Sequence, residues 1–197
     1  MNIQPQVNSQ TWNFQNSYLE LPAKLYMKQM PVSVKNPQII YYNMSLAKEL
    51  GLEFLSEEKV AVAEYFSGNK IPGGASPISQ AYAGHQFGHF TMLGDGRAVL
   101  LGEQINQNNQ RYDIQLKGSG QTPFSRSGDG RATLSSMLRE YIISESIHHL
   151  GIPTTRSLAV TQTGEKVYRE TINDGAVLTR IASSHIRVGT FEYVNHF

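Results

Sequence analysis

Cysteine is absent from the 197 residues, and its absence excludes disulfide frameworks, thiolate nucleophiles and Cys-ligated zinc or iron–sulfur clusters. An excess of charge is missing too. The formal net charge is +1 and no Lys/Arg run rises above background, so nucleic acid is not the expected partner. No window approaches the roughly 20 apolar residues that cross a bilayer. The start, MNIQPQVNSQTWNFQNSY, has neither a basic nor an apolar leader region. The expectation is a soluble, unprocessed, cytoplasmic protein with no membrane or nucleic-acid partner.

Charge is distributed unevenly by type, although not by sign. Residues 1 to 83 carry six of the eight lysines and no arginine, whereas all nine arginines and all four aspartates follow from residue 95. Arginine is the forked, permanently charged donor suited to phosphate. It is concentrated where glycine is frequent. Between Leu93 and Glu145 the chain reads LGDGRAVLLGE and then DIQLKGSGQTPFSRSGDGRATLSSMLREYIISE. Glycines admit close backbone approach and Arg and Lys neutralise charge, so this stretch points to a polyphosphate such as ATP. Gly94-Asp95-Gly96-Arg97-Ala98 recurs as Gly128-Asp129-Gly130-Arg131-Ala132, a repeat too short for a solenoid.

The element pattern sharpens from residue 81 onward. Before it, residues 45–50 read as a short helix closed by Gly51, Ser56 as the cap of a helix through Phe66, and 69–77 as a loop. Residues 98–104 predict a strand, as do 111–117, where Tyr112, Ile114 and Leu116 alternate with Asp113, Gln115 and Lys117. A helix is predicted over 131–150 from the spacing of Leu134, Met137, Leu138 and Tyr141, capped by Asp129 and ended by Gly151 and Pro153. Strands at 156–161, 166–171 and 176–181 follow, joined by turns at Thr163-Gly164 and Asn173-Asp174-Gly175. The fold class is α+β: a five-stranded antiparallel sheet with one long helix at 81–197, preceded by a mostly irregular N-terminal extension at 1–80.

Lys117 at a strand end and Glu140 on the next helix, 23 positions later, are the strongest pairing. Kinase-like folds hold a lysine against nucleotide phosphates in this way. A surface Lys and a solvated Glu that never meet have the same spacing. The Gly94 turn is open between a phosphate cradle closed by Arg97 and a plain hairpin turn, and Asp129 between a site residue and a helix cap. Arg180 and Arg187 are either arms that reach phosphate or solvated surface. Walker A is absent, since Gly118-Ser119-Gly120-Gln121-Thr122-Pro123 lacks the Gly-Lys pair. His85 and His89 have the i, i+4 spacing of a zinc helix, yet Gln86 replaces the catalytic glutamate and two glycines disfavour a helix, which favours a structural loop. His148 and His149 suit the last turn of a helix. After Ile181 no aspartate remains to serve as a kinase-type catalytic or metal-binding residue.

The runs AYAGHQFGHF, LGDGRAVLLGE, DIQLKGSGQTPFSRSGDGRATLSSMLREYIISE, LGIPTTRSLAV and VLTRIASSHIRVGTFEY closely resemble the selenoprotein O family, kinase-like protein adenylyltransferases of bacteria and mitochondria. The resemblance implies a protein-kinase-like small lobe, ATP with Mg or Mn as cofactors, and transfer of AMP to Ser, Thr or Tyr hydroxyls of protein substrates. It implies nucleotide contacts at Gly94, Gly96, Arg97, Lys117, Asp129, Gly130, Arg180 and Arg187, with Glu140 as partner of Lys117. The resemblance also implies a bacterial cytoplasmic setting. Family members are longer, and their catalytic Asp and metal-binding Asn and Asp lie in a C-terminal lobe not present in these residues. The expectation is therefore an N-terminal part with no catalytic residue or metal ligand of its own, inactive alone. A complete non-catalytic nucleotide- or partner-binding module, and conventional phosphoryl transfer by the full-length protein, are the alternatives.

Overall fold

Residues 12–52, 59–86 and 88–196 are described by a computed structural model, in which the chemistry of the site follows from one strand with two unlike faces. In chain order the elements are β1 (Phe14–Gln15), β2 (Tyr26–Lys28), β3 (Gln38–Tyr42), α1 (Met44–Glu49), α2 (Lys59–Ser67), β4 (Ile78–Gln86), β5 (His89–Gly94) and β6 (Ala98–Ile105). They continue with β7 (Arg111–Lys117), β8 (Ala132–Thr133), α3 (Leu134–His149), β9 (Arg156–Tyr168), β10 (Ile172–Ala182) and α4 (Val188–Val194). Among the described residues ten strands form an antiparallel sheet in the order β2-β4-β6-β7-β10-β9-β3, with β1 on β6, β5 on β4 and β8 on β10.

Strand β7 shows why the sheet divides the molecule. Side chains alternate across a strand, so Ile114 and Leu116 enter the main core with Leu46, Leu50, Phe66 and Val177, and both are fully buried. Burying each is worth about 1.5–3 kcal/mol. Asp113, Gln115 and Lys117 take the other face, where Lys117 meets Glu140 of α3. That polar face is covered rather than solvated: Asp113 and Gln115 are both buried.

The expected five strands and irregular extension are corrected here, because β1, β2 and β3 come from the N-terminal stretch and β4 and β5 follow it. β2 and β3 form the two ends of the strand order, and β1 adds to β6. These strands are two to five residues long. Their pairing is made by distant partners, so their own sequences carry no period of two. The helix expected near residue 45 is α1, capped by Asn43. Ser56, expected as the cap of the next helix, lies outside the described residues, whereas α2 runs through Ser67. The strands expected at 156–161 and 166–171 are one strand, β9. Thr163-Gly164 is not a turn: residues 163–165 oppose the single Gly175 as a bulge within the β9–β10 ladder. The reversal occurs instead where Arg169 N donates to Thr171 O at 3.1 Å.

The helix α3 begins later than its sequence pattern predicts. Ala132 and Thr133 pair with Ala176 and Gly175, which holds the backbone extended up to Thr133. Thr133, not Asp129, is the cap, its hydroxyl accepting from Ser136 N at 3.3 Å. Asp129 instead accepts from Arg131 N at 2.9 Å, a local turn. The helix ends as predicted, with Gly151 N donating to His148 O and Ile152 N to Ile147 O. Met137, Tyr141 and Glu145 form its buried face.

Glu145 is a carboxylate in the core with four N–H donors: Arg156 Nε (2.9 Å) and Nη2 (2.8 Å), Ser157 N (2.9 Å) and Asn43 Nδ2 (2.9 Å). Burial alone would raise its pKa, but the Arg156 and Ser157 donors outweigh it and hold the carboxyl below the usual range. A folded value below the unfolded one gives stability that is complete above the ordinary glutamate value of about 4.3 and lost as pH falls through the folded value. Glu145→Gln should therefore be less stable than wild type at neutral pH and should show a shallower fall of Tm on acidification below pH ~5. Thermal melts of both proteins across that range check it; parallel curves would count against it.

Candidate functional site

Strand β7 ends at Lys117, and α3 brings Glu140 to it: Lys117 Nζ lies 2.5 Å from Glu140 Oε2. The other carboxylate oxygen accepts from Arg180 of β10, Nε at 2.6 Å with Nη2 also in contact. One carboxylate therefore holds two cations. Burial, followed by the nearby Arg180 charge, holds the Lys117 pKa below its ordinary value although Glu140 opposes this. For Glu140 burial would raise the pKa, but Arg180 and Lys117 outweigh it and hold the carboxyl below the usual range. The Glu140 carboxyl is therefore ionised at neutral pH.

A second carboxylate completes the arrangement. Asp95, in the first Gly-Asp-Gly-Arg turn, has a side chain only 2% exposed. Its Oδ1 accepts from Arg187 Nη2 at 2.9 Å, and its Oδ2 from Gln115 Nε2 at 3.2 Å and Gln80 N at 3.3 Å. Gln115 Oε1 in turn accepts from Arg180 Nη1 at 3.2 Å. Lys117, Glu140, Arg180, Gln115, Asp95 and Arg187 thus form one continuous polar line across five parts of the chain. Arg187 also lies over the Tyr82 ring, 4.7 Å from its centroid, which fixes the plane of the guanidinium.

Four of these side chains, Lys117, Arg180, Asp95 and Arg187, line a cavity of about 330 Å³ together with Gly96, Arg97, Tyr82 and Ala98. Four cations against two carboxylates leave it positive, the right field for a phosphate chain. Arg97 is exposed and its guanidinium has no hydrogen-bond or ion-pair partner among the described residues, so it is the uncommitted arm.

The remaining expected positions lie differently. Gly94 is tight because a β-carbon there would fall 2.2 Å from Phe124 Cγ, and at Gly96 one would fall 2.8 Å from Phe124 O. Both glycines let the Thr122–Ser125 loop close against the first turn. Asp129 is bound by the fork of Arg169 at 2.7 and 2.8 Å, which holds its carboxyl below the usual range. Arg169 borders a neighbouring hollow of about 460 Å³ that shares Arg97 with the first cavity. Gly130 packs on Gly120. Arg131 donates to Val32 O and Ser33 O, each at 3.1 Å, so the repeated motif is used in two ways. In the first copy the Asp is buried and the Arg is free; in the second the Asp is exposed and the Arg is tied down. His85 and His89 lie on the β4–β5 hairpin, in cross-strand register with Phe90 and Gln86, rather than on a helix. Among the described residues no group of three or more His, Asp or Glu is placed to hold a metal ion.

Asp95, Gln115 and Tyr82 escape sequence reasoning. The Asp95 signal was its place in the first turn, but a turn aspartate is ordinarily solvated, and only the fold buries this one.

Comparison with known proteins decides the family. Residues 8–197 match the family described as protein adenylyltransferase SelO. The chain belongs to the SelO family. Proteins named protein nucleotidyltransferase YdiU are close relatives in sequence. That of Syntrophotalea carbinolica is 66% identical over 186 residues, 93% of this chain and 37% of the relative. That of Bacillus cytotoxicus is 64% identical over 185 residues, 92% of this chain and 37% of the relative. That of Nitrosococcus oceani is 61% identical over 183 residues, again 37% of the relative. The chain therefore spans little more than a third of the length of these SelO-family relatives. No helix among the described residues is long and apolar enough to cross a membrane.

Proposed function

We propose that residues 81–197 are the nucleotide-binding half of a protein adenylyltransferase, equivalent to a kinase-like small lobe, and that the cavity takes the phosphate chain of ATP. The observation that carries this reading is the convergence of Lys117, Arg180 and Arg187, each oriented by Glu140 or Asp95, with the uncommitted Arg97 beside them. Donors held in place before a ligand arrives lose little freedom on binding it.

In the complete enzyme the acceptor hydroxyl oxygen of a Ser, Thr or Tyr attacks the α-phosphorus of ATP. The bond to the bridging oxygen breaks, AMP stays on the acceptor, pyrophosphate leaves and the hydroxyl proton is released. Lys117, Arg97, Arg180 and Arg187 bind and neutralise the phosphates, while Glu140 and Asp95 keep three of them aimed. A divalent ion would neutralise phosphate charge. Its ligands do not fit any cluster in the described residues, and no role here depends on it.

Mass analysis of a protein acceptor incubated with full-length enzyme and ATP should show an added AMP; an added phosphate instead would establish phosphoryl transfer and overturn the reading. Within the chain, Arg97→Ala should lower ATP affinity by about tenfold or more, the size of one lost charge-assisted contact. Because the Arg97 guanidinium makes no internal bond, and the backbone bond from Gly118 N to Arg97 O survives the substitution, stability should change by less than about 0.5 kcal/mol. NMR titration with ATP and a thermal melt of the same variant separate the two effects.

A further inference from the structure

A lysine–glutamate pair between strand and helix works only while the helix sits close enough to engage the lysine, and kinase-like folds control activity by moving it. Here α3 is fastened beyond Glu140. Glu145 is five residues further along, about 7.5 Å up the helix axis. Its four N–H donors come from the start of β9 and from Asn43 ahead of α1. Asn43 is itself held, since its Oδ1 caps α1 by accepting from Leu46 N at 3.1 Å. Arg156 reaches further to Glu49 at 3.7 Å, and Ser144 and Ser157 hydroxyls meet at 2.7 Å. The Glu145 and Arg156 side chains are only 10% and 14% exposed. Any outward swing of α3 would break the four hydrogen bonds to the Glu145 carboxylate and part it from Arg156, which is unfavourable.

We infer that Glu145 is a positioning residue for the nucleotide site: its clasp on Arg156, Ser157 and Asn43 fixes α3 where Glu140 engages Lys117 and Arg180. The site is thereby preformed, and no separate event is needed to seat the helix. This rests on reading the cavity as a nucleotide site.

A double-mutant cycle on the chain tests it, with ATP affinity measured by NMR titration at a temperature where circular dichroism shows each variant folded. Glu145→Ala and the milder Arg156→Lys, which keeps the charge but loses the fork, should each weaken ATP about tenfold, and less than about twofold when Glu140→Gln is already present. General loosening of the fold would act alike in both backgrounds. An unchanged affinity in the folded variants, or equal losses in both backgrounds, would overturn the inference, and Arg156→Lys decides it if Glu145→Ala does not fold. The Lys117 ammonium resonance gives a nucleotide-independent readout: it should be protected from exchange in wild type and lose that protection in Arg156→Lys. If wild type takes no ATP, the functional reading fails, and persistence or loss of that protection still decides the role of Glu145.

Discussion

Glu140→Gln should destabilise the protein more than Lys117→Met, while Lys117→Met should weaken ATP binding more than Glu140→Gln. The asymmetry follows from one carboxylate serving two cations. Without Lys117, Glu140 keeps Arg180, and the methionine still fills the stem's volume, so the loss is about 1 kcal/mol. Without the Glu140 charge, Lys117 and Arg180 face each other in a partly buried site with no counter-charge, and Arg180 already depresses the Lys117 pKa in the intact protein. Removing one partner of a fully buried pair costs about 3–5 kcal/mol. Glu140 is 28% exposed, which reduces the expected loss to about 2–3 kcal/mol, or a Tm fall of about 4–12 °C for a chain of this size. ATP affinity runs the other way, since Lys117 lines the cavity and Glu140 does not. Thermal melts and ATP titrations of the two variants should cross in rank. The same order in both measurements would mean that the pair acts as a structural bridge alone.

That pair was legible in the sequence because each member sits on an element with a strong period of its own. Alternation along residues 111–117 matches β7, and the apolar spacing of Leu134, Met137, Leu138 and Tyr141 matches the face of α3 that packs on Ala176 and Leu178. Where the chain relies on distant partners, the sequence was silent. β4 is buried along most of its length with small and polar side chains such as Ser79 and Gln80, so it shows no inside–outside contrast. Asp95 meets Arg187 across 92 positions and Gln115 across 20, separations that no local pattern encodes. The cap of α3 falls at Thr133 for a related reason: Asp129 has the right chemistry, but the pairing of β8 with β10 delays the helix by one further turn of chain.

Gly130→Ala tests which of two demands glycine meets in the second Gly-Asp-Gly-Arg turn. In a phosphate cradle, glycine there gives the ligand close access. The structure supplies a different constraint. Gly130 has φ +67°, and a β-carbon would fall 2.1 Å from both C and O of Gly120 and 2.4 Å from Gln121 N. All three are backbone atoms, so no side chain can turn aside. Nor can the 118–121 loop retreat, because Gly120 N donates to Gly130 O at 3.1 Å and a β-carbon at Gly120 would itself meet Val32 at 2.5 Å. The left-handed backbone and the overlap each carry about 1–3 kcal/mol, so a total near 3–5 kcal/mol is expected, enough to leave a marginal domain largely unfolded at 37 °C. Gly73 is the control: its β-carbon would meet nothing within 4 Å, and Gly73→Ala should stay within about 0.5 kcal/mol of wild type. Urea denaturation of both variants gives the comparison. If Gly130→Ala folds as well as Gly73→Ala yet loses ATP, the glycine is kept for the ligand; if it loses stability as expected, the turn is built for loop packing, and its closeness to the site follows from where the packed loops place Asp129 and Arg169.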